Sequence, residues 1–168
     1  MLQSTLKTLP GLVTAGSYRA YRRGRAFSVP RPQRVVLAYI AFVPQFLAFF
    51  FPPARQWFTQ ELSALALVGS LLLLVVFVWC NRRHVAFRWM GIGLLLNLAV
   101  IALNGGLMPI SPVTVEYLYP HAAADSWQVG NQLYGSKNVV LAIADTRLEL
   151  LADRFILPDD FRYRVAFS

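Results

Sequence analysis

The sequence has one cysteine, Cys80, so it can build neither a disulfide framework nor a cysteine-ligated metal centre. It has no acidic residue ahead of Val35, and only 14% of its 168 residues are charged. The two histidines, His84 and His121, fall on opposite sides of the long apolar segments, so they cannot serve one centre. No cofactor or catalytic motif occurs, and the reading is of a non-enzyme with no bound cofactor and no metal. The carboxylates Asp145, Glu149, Asp153, Asp159 and Asp160 stand among basic neighbours, which favours a salt-bridged, solvated face over acid–base or metal chemistry.

What the chain does have is apolar surface. Hydrophobic residues make up 57% and the mean hydropathy is +0.49, more than a soluble fold of this length can bury. Three apolar runs carry the excess: Val35 to Phe51, Leu62 to Cys80 and Val85 to Leu103. As helices they would reach about 25 to 28 Å, close to the thickness of a hydrocarbon core. The sequence therefore predicts an all-α membrane protein with three transmembrane helices and a small mixed α/β or irregular extracytoplasmic C-terminal segment. Its divisions are a basic N-terminal segment over 1–34, the helices over 35–103, and a tail over 104–168.

Orientation follows from the basic residues. Lys7, Arg19, Arg22, Arg23, Arg25, Arg31 and Arg34 precede the first run, and Arg82, Arg83 and Arg88 separate the second from the third. The opposite side holds little positive charge: Arg55 and Glu61 lie in the first connection, and the tail has five basic and seven acidic residues. The positive-inside rule then places the N-terminus in the cytoplasm and the tail outside the inner membrane of a bacterium, with the second and third helices turning at Asn81 to His84. This distribution accounts for the net charge of +8, so the high basicity does not signal nucleic-acid binding. An Arg-rich leader also fits an organellar transit peptide. Leu2 to Tyr18 reads as a surface-lying or re-entrant segment, and Arg19, Arg22, Arg23 and Arg25 after it as a topological anchor at the anionic inner leaflet.

The interior of the runs is almost uncharged. No Asp, Glu, Lys or His stands at mid-depth, which argues against a proton relay, an ion path or a transporter of charged substrates. The polar side chains present are Gln45, beside Pro44, and Asn97; both should seek hydrogen bonds away from lipid. Asn97 and Asn104, seven apart, are expected to share a helix face. After them comes Asn104-Gly105-Gly106-Leu107-Met108-Pro109-Ile110-Ser111-Pro112, where two glycines stop the helix and two prolines prevent its resumption. Gln45, Asn97, Asn104, Gly105, Gly106, Met108 and Pro109 are the candidate structural and partner-contact residues; backbone donors at the double glycine could also cradle an anion.

This string, the arginine-rich entry into a Gln-containing helix (Arg34 to Phe51), and Asp145-Thr-Arg-Leu-Glu-Leu-Leu-Ala-Asp153 resemble an uncharacterised bacterial integral-membrane family, a domain of unknown function with an Asn-Gly-Gly-x-Met-Pro motif. The resemblance covers the chain from about Gly24 onward. It implies a small multi-helix membrane protein without an established activity or cofactor. Members of that family tend to continue past a Phe-Ser pair such as Phe167-Ser168 into a final membrane helix.

In the tail, Asn138 to Ala144 is expected to be a strand and Thr146 to Phe155 an amphipathic helix. Tyr117, Tyr119 and Trp127 suit an interfacial aromatic belt. The stretch from Tyr119 to Ser136 has loop composition and is expected to be ordered by a partner. Together these features point to an accessory or structural subunit packed against larger integral-membrane subunits and lipids, in a respiratory or photosynthetic electron-transport complex. The alternative is a small membrane enzyme or a quinone- or lipid-binding protein using Asn97 and Asn104 to Pro109.

Overall fold

The structure is a computed structural model that describes residues 31–121, 126–133, 135–153, 155–156 and 166–167. The chain divides into two compact units, 1–31 and 32–168, and the architecture below is that of the second. The anchoring segment expected over 1–34 lies almost wholly outside the described residues, as do Asp159 and Asp160.

Helix α1 spans Val35–Gln45 and continues as one π-helical stretch, Phe46–Phe50. Pro44 inside the helix has no N–H to donate, and the wider turn follows directly after it. Phe51 is extended, and Pro52 opens the four-residue α2, Pro52–Arg55. Helix α3, Gln60–Cys80, starts at Thr59, whose hydroxyl accepts from the Leu62 N–H at 3.3 Å. Helix α4 is Val85–Leu103.

Two helices, α3 and α4, are long and apolar enough to cross a membrane; the Val35–Phe50 segment is shorter. The expectation of three such helices is therefore met for two of them by length and composition. Helix α3 is central: α1 packs along one side and α4 along another. Its buried residues are Ser63, Leu67, Ser70, Leu71, Phe77 and Val78. Recurrence of Ser63, Ser70 and Phe77 every seven residues keeps them on one face, and two small serines let neighbours approach closely. Most other apolar side chains of the three helices point outward, including Tyr39, Phe42, Leu65, Trp79, Trp89 and Leu95.

Beyond α4, strand β1 (Met108–Ile110) pairs in parallel with β2 (Asn138–Val140), Met108 opposite Asn138. Helix α5, Pro112–Leu118, lies between them in sequence, capped by Ser111 accepting from the Thr114 N–H at 3.1 Å. Gln132 bridges to Val139 on the other edge of β2. The pair Phe155–Ile156 (β3) and Ala166–Phe167 (β4) is antiparallel.

One expectation for the tail is corrected. Thr146 to Phe155 forms no amphipathic helix: single 3-10 turns at Ile143–Asp145 and Glu149–Leu151 flank Leu148, whose φ of 54° lies in the left-handed region and interrupts a helix. Trp127 is half-buried and, with Leu118 and Leu133, packs on a small core of Ile110, Val115 and Val140. The tail also leans on its own bundle. One core cluster runs from Ala48 and Phe49 through Leu67, Leu71, Val100 and Ile101 to Leu107, Met108 and Val139.

Candidate functional site

The helix break after Leu103 is a hydrogen-bonded stop. Gly105, at φ 82°, turns the chain, and the Gly106 N–H returns to the Ile101 carbonyl at 2.8 Å, the six-to-one bond of a Schellman ending. Gly106, at φ 87°, presses against α3: a Cβ there would stand 2.7 Å from the Ala64 Cβ. Both requirements, positive φ and no side chain, are met by glycine alone.

Asn104 caps this ending and reaches 43 residues along the chain. Its Nδ2 donates to the carbonyls of Val100 and Arg147, each at 2.8 Å, and its Oδ1 accepts from the Arg147 N–H at 2.8 Å. The amide is 7% exposed, so it replaces water for a backbone segment that has no strand partner of its own.

The same device recurs at the end of α3. Asn81, 2% exposed, donates from Nδ2 to the carbonyls of Phe77 at 2.8 Å and Gln33 at 2.9 Å, and accepts from the Gln33 N–H at 2.6 Å. In each case the clamped residue precedes one in the left-handed region: Arg34 after Gln33 and Leu148 after Arg147, both at φ 54°. A third amide, Gln60, accepts from the Gln132 N–H at 2.8 Å and donates to the Gly130 carbonyl at 3.2 Å. Helix ends thus hold distant loops through side-chain amides that imitate a strand edge.

Of the candidate residues, Asn104, Met108 and Pro109 are buried at the end of the bundle where α4 stops, with Gly106 half-buried beside them and Gly105 exposed. Gln45 is half-buried in α1. Asn97 is exposed, whereas Asn104 is buried and bonded to Val100 and Arg147, so the two form no common polar stripe. Among the described residues the Asn97 side chain makes no hydrogen bond. Asn81 and Gln60 were not singled out by sequence; the available signal was an amide at a helix boundary, which many helices share.

The exposed salt-bridged face expected of the carboxylates is revised at Asp153, which is buried: Oδ2 accepts from Asn138 Nδ2 at 2.7 Å and lies 3.3 Å from Lys137 Nζ. His84 stands at the N-terminus of α4 beside Phe87, while His121 is exposed in the tail. Among the described residues no cluster of His, Cys, Asp and Glu could hold a metal ion.

Two cavities bear on function. One, of about 400 Å³ beside the C-terminal end of α4, is bordered by Gln60, Asn104, Gly105, Asp145 and Arg147, but the Asn104 amide beside it is spent on the backbone. The other, of about 470 Å³, is an apolar groove between α3 and α4 near the Asn81 to His84 turn.

A family model described as Family of unknown function (DUF5317) matches residues 32–168. No curated protein and no solved structure matches the chain.

Proposed function

Because the chain belongs to this family of unknown function, and no relative supplies an activity, we propose from its geometry that it is a non-catalytic subunit of a bacterial inner-membrane complex. The observation that carries this reading is Asn97, an exposed amide in an otherwise apolar helix with no partner among the described residues. Facing lipid, such an amide is costly, and interhelical hydrogen bonding is its usual resolution. Gly93, one turn earlier, has open space beside its Cα, so another helix can approach closely there. Only Val100 and Ile101 of α4 are buried, which leaves most of the helix for larger integral-membrane subunits and lipid.

In this reading α1 with its π-helical continuation spans together with α3 and α4, the N-terminus and the α3–α4 turn are cytoplasmic, and the tail is extracytoplasmic. An electron-transport complex, respiratory or photosynthetic, is the host class we favour, since such assemblies recruit small subunits without cofactors. The alternative, a small ligand such as a quinone in the outer cavity beside Gly105, is weakened because the Asn104 amide is already committed.

The test is native mass spectrometry of the full chain purified from its own membrane in mild detergent. A stoichiometric complex with integral-membrane subunits, lost in Asn97→Leu with the fold retained, supports the proposal; a monomer in the wild type overturns it. Orientation is tested in a Cys80→Ser background by cysteines placed at Ser28 and Ser136. External labelling at Ser28 would reverse the topology.

A further inference from the structure

The groove between α3 and α4 has an uneven chemistry. Its floor is apolar, made by Val75, Val78, Ile92 and Leu95, and its mouth is surrounded by Arg82, Arg83 and Arg88. No acidic residue occurs in the sequence between Glu61 and Glu116, and none lines the groove. Three positive charges therefore stand at one end of an apolar channel with no carboxylate in its wall.

The arginines are partly ordered in advance. The Arg82 guanidinium lies 4.4 Å from the centre of the Trp79 ring, and its Nη1 donates to the Trp79 carbonyl at 3.0 Å. Arg88 uses Nε to donate to the Arg82 carbonyl at 2.9 Å, which fixes the guanidinium near the mouth and leaves its Nη groups for another acceptor. Gly91 lets the two helices meet, since a Cβ there would stand 3.0 Å from the Val78 side chain. Phe87, which also lines the groove, packs its ring edge-on against Phe77, at 5.6 Å between centroids.

We propose that this groove binds an anionic phospholipid, with the phosphate among Arg82, Arg83 and Arg88 and an acyl chain along Val75, Val78, Ile92 and Leu95. Guanidinium forks match phosphate oxygens, and an apolar channel leading away from them fits a hydrocarbon tail better than it fits a free phosphate. Charge complementarity selects this occupant over a neutral lipid or an apolar protein helix, neither of which would satisfy three clustered arginines. The site is separate from the partner face, as Gly93 and Asn97 do not line it. It rests on the reading of α3 and α4 as membrane helices.

The full chain in mild detergent is titrated with phosphatidylglycerol or phosphatidylcholine, and retained lipid is counted by native mass spectrometry. The wild type should retain phosphatidylglycerol preferentially, and each arginine replaced by glutamine should lower that preference by about threefold to fivefold. Ile92→Trp, which narrows the channel, should lower retention while leaving the arginines in place. Glycerol phosphate in excess should not compete; efficient competition would assign the site to a soluble phosphate and overturn the lipid. Replacing Arg19, Arg22, Arg23 and Arg25 should leave the preference intact, and loss there would place the lipid elsewhere. A preference that survives in the triple variant Arg82→Gln, Arg83→Gln, Arg88→Gln also overturns the proposal. Extraction of the chain from membranes by alkaline carbonate would overturn the underlying membrane reading, a result distinct from an inserted chain without lipid preference.

Discussion

Asn104 holds Arg147 by both atoms of its amide, donating to the carbonyl and accepting from the N–H, each at 2.8 Å. Asn81 holds Gln33 in the same way at the end of the preceding helix. Each asparagine also donates to the carbonyl four residues earlier, so one side chain both caps a helix and pins a distant turn. A buried amide used three times is costly to remove, because its former partners stay behind without water.

Asn104→Leu should destabilise the tail around the α4 ending by about 1–3 kcal/mol. Amide hydrogen exchange should accelerate across 145–151 more than in the middle of α3. Uniform acceleration throughout the chain would show that the clamp has no local role.

Asn81→Leu should act at the opposite end with the same signature. Exchange at Gln33 to Leu37 should rise, while the protection of Met108 to Ile110 stays unchanged. The two variants together should add their effects, since the clamps share no partner.

Gly106→Ala should cost more than Gly105→Ala. Both residues take a positive φ, worth about 1 kcal/mol or more against a side chain, but only Gly106 meets Ala64. Ala64→Gly should restore part of the loss in Gly106→Ala and none in Gly105→Ala. Thermal unfolding in detergent gives the comparison.

Asp153→Ala should destabilise the tail by about 1–3 kcal/mol, because Asn138 Nδ2 and Lys137 lose their shared acceptor beside β2. Asp153→Asn, which keeps one oxygen, should lose less. Equal losses in a denaturant titration would mean that the charge, and not the hydrogen bond to Asn138, is what the site needs.

Much of the helical part was legible in the sequence. The run from Val85 to Leu103 coincides with α4, and the run from Leu62 lies within α3, which starts two residues earlier at Gln60 because Thr59 supplies the cap. The break at Gly105 and Gly106 was equally readable, since two glycines followed by Pro109 and Pro112 leave a helix no continuation. The tail was harder. Thr146 to Phe155 carries helical periodicity, yet the backbone at Arg147 is taken by Asn104 and Leu148 is turned into the left-handed region, so a tertiary contact overrides the local preference. Trp127 suits an interface by composition; its packing with Leu118 and Leu133 is visible only in the fold.

The sequence by itself determined the long apolar helices, the place where α4 must stop, and the one-sided distribution of basic charge, because length, hydropathy and glycine conformation act locally along a chain. Tertiary structure alone decided which polar side chains are used up and which remain. Asn104 and Asn97 look alike seven residues apart, but only Asn104 finds a backbone to hold, 43 residues away; Asn97 is left facing outward. Arg82, Arg83 and Arg88 likewise read as a topological marker until the α3–α4 turn gathers them at the mouth of one groove. Partnership of this kind depends on contacts distant in sequence, which no local pattern encodes.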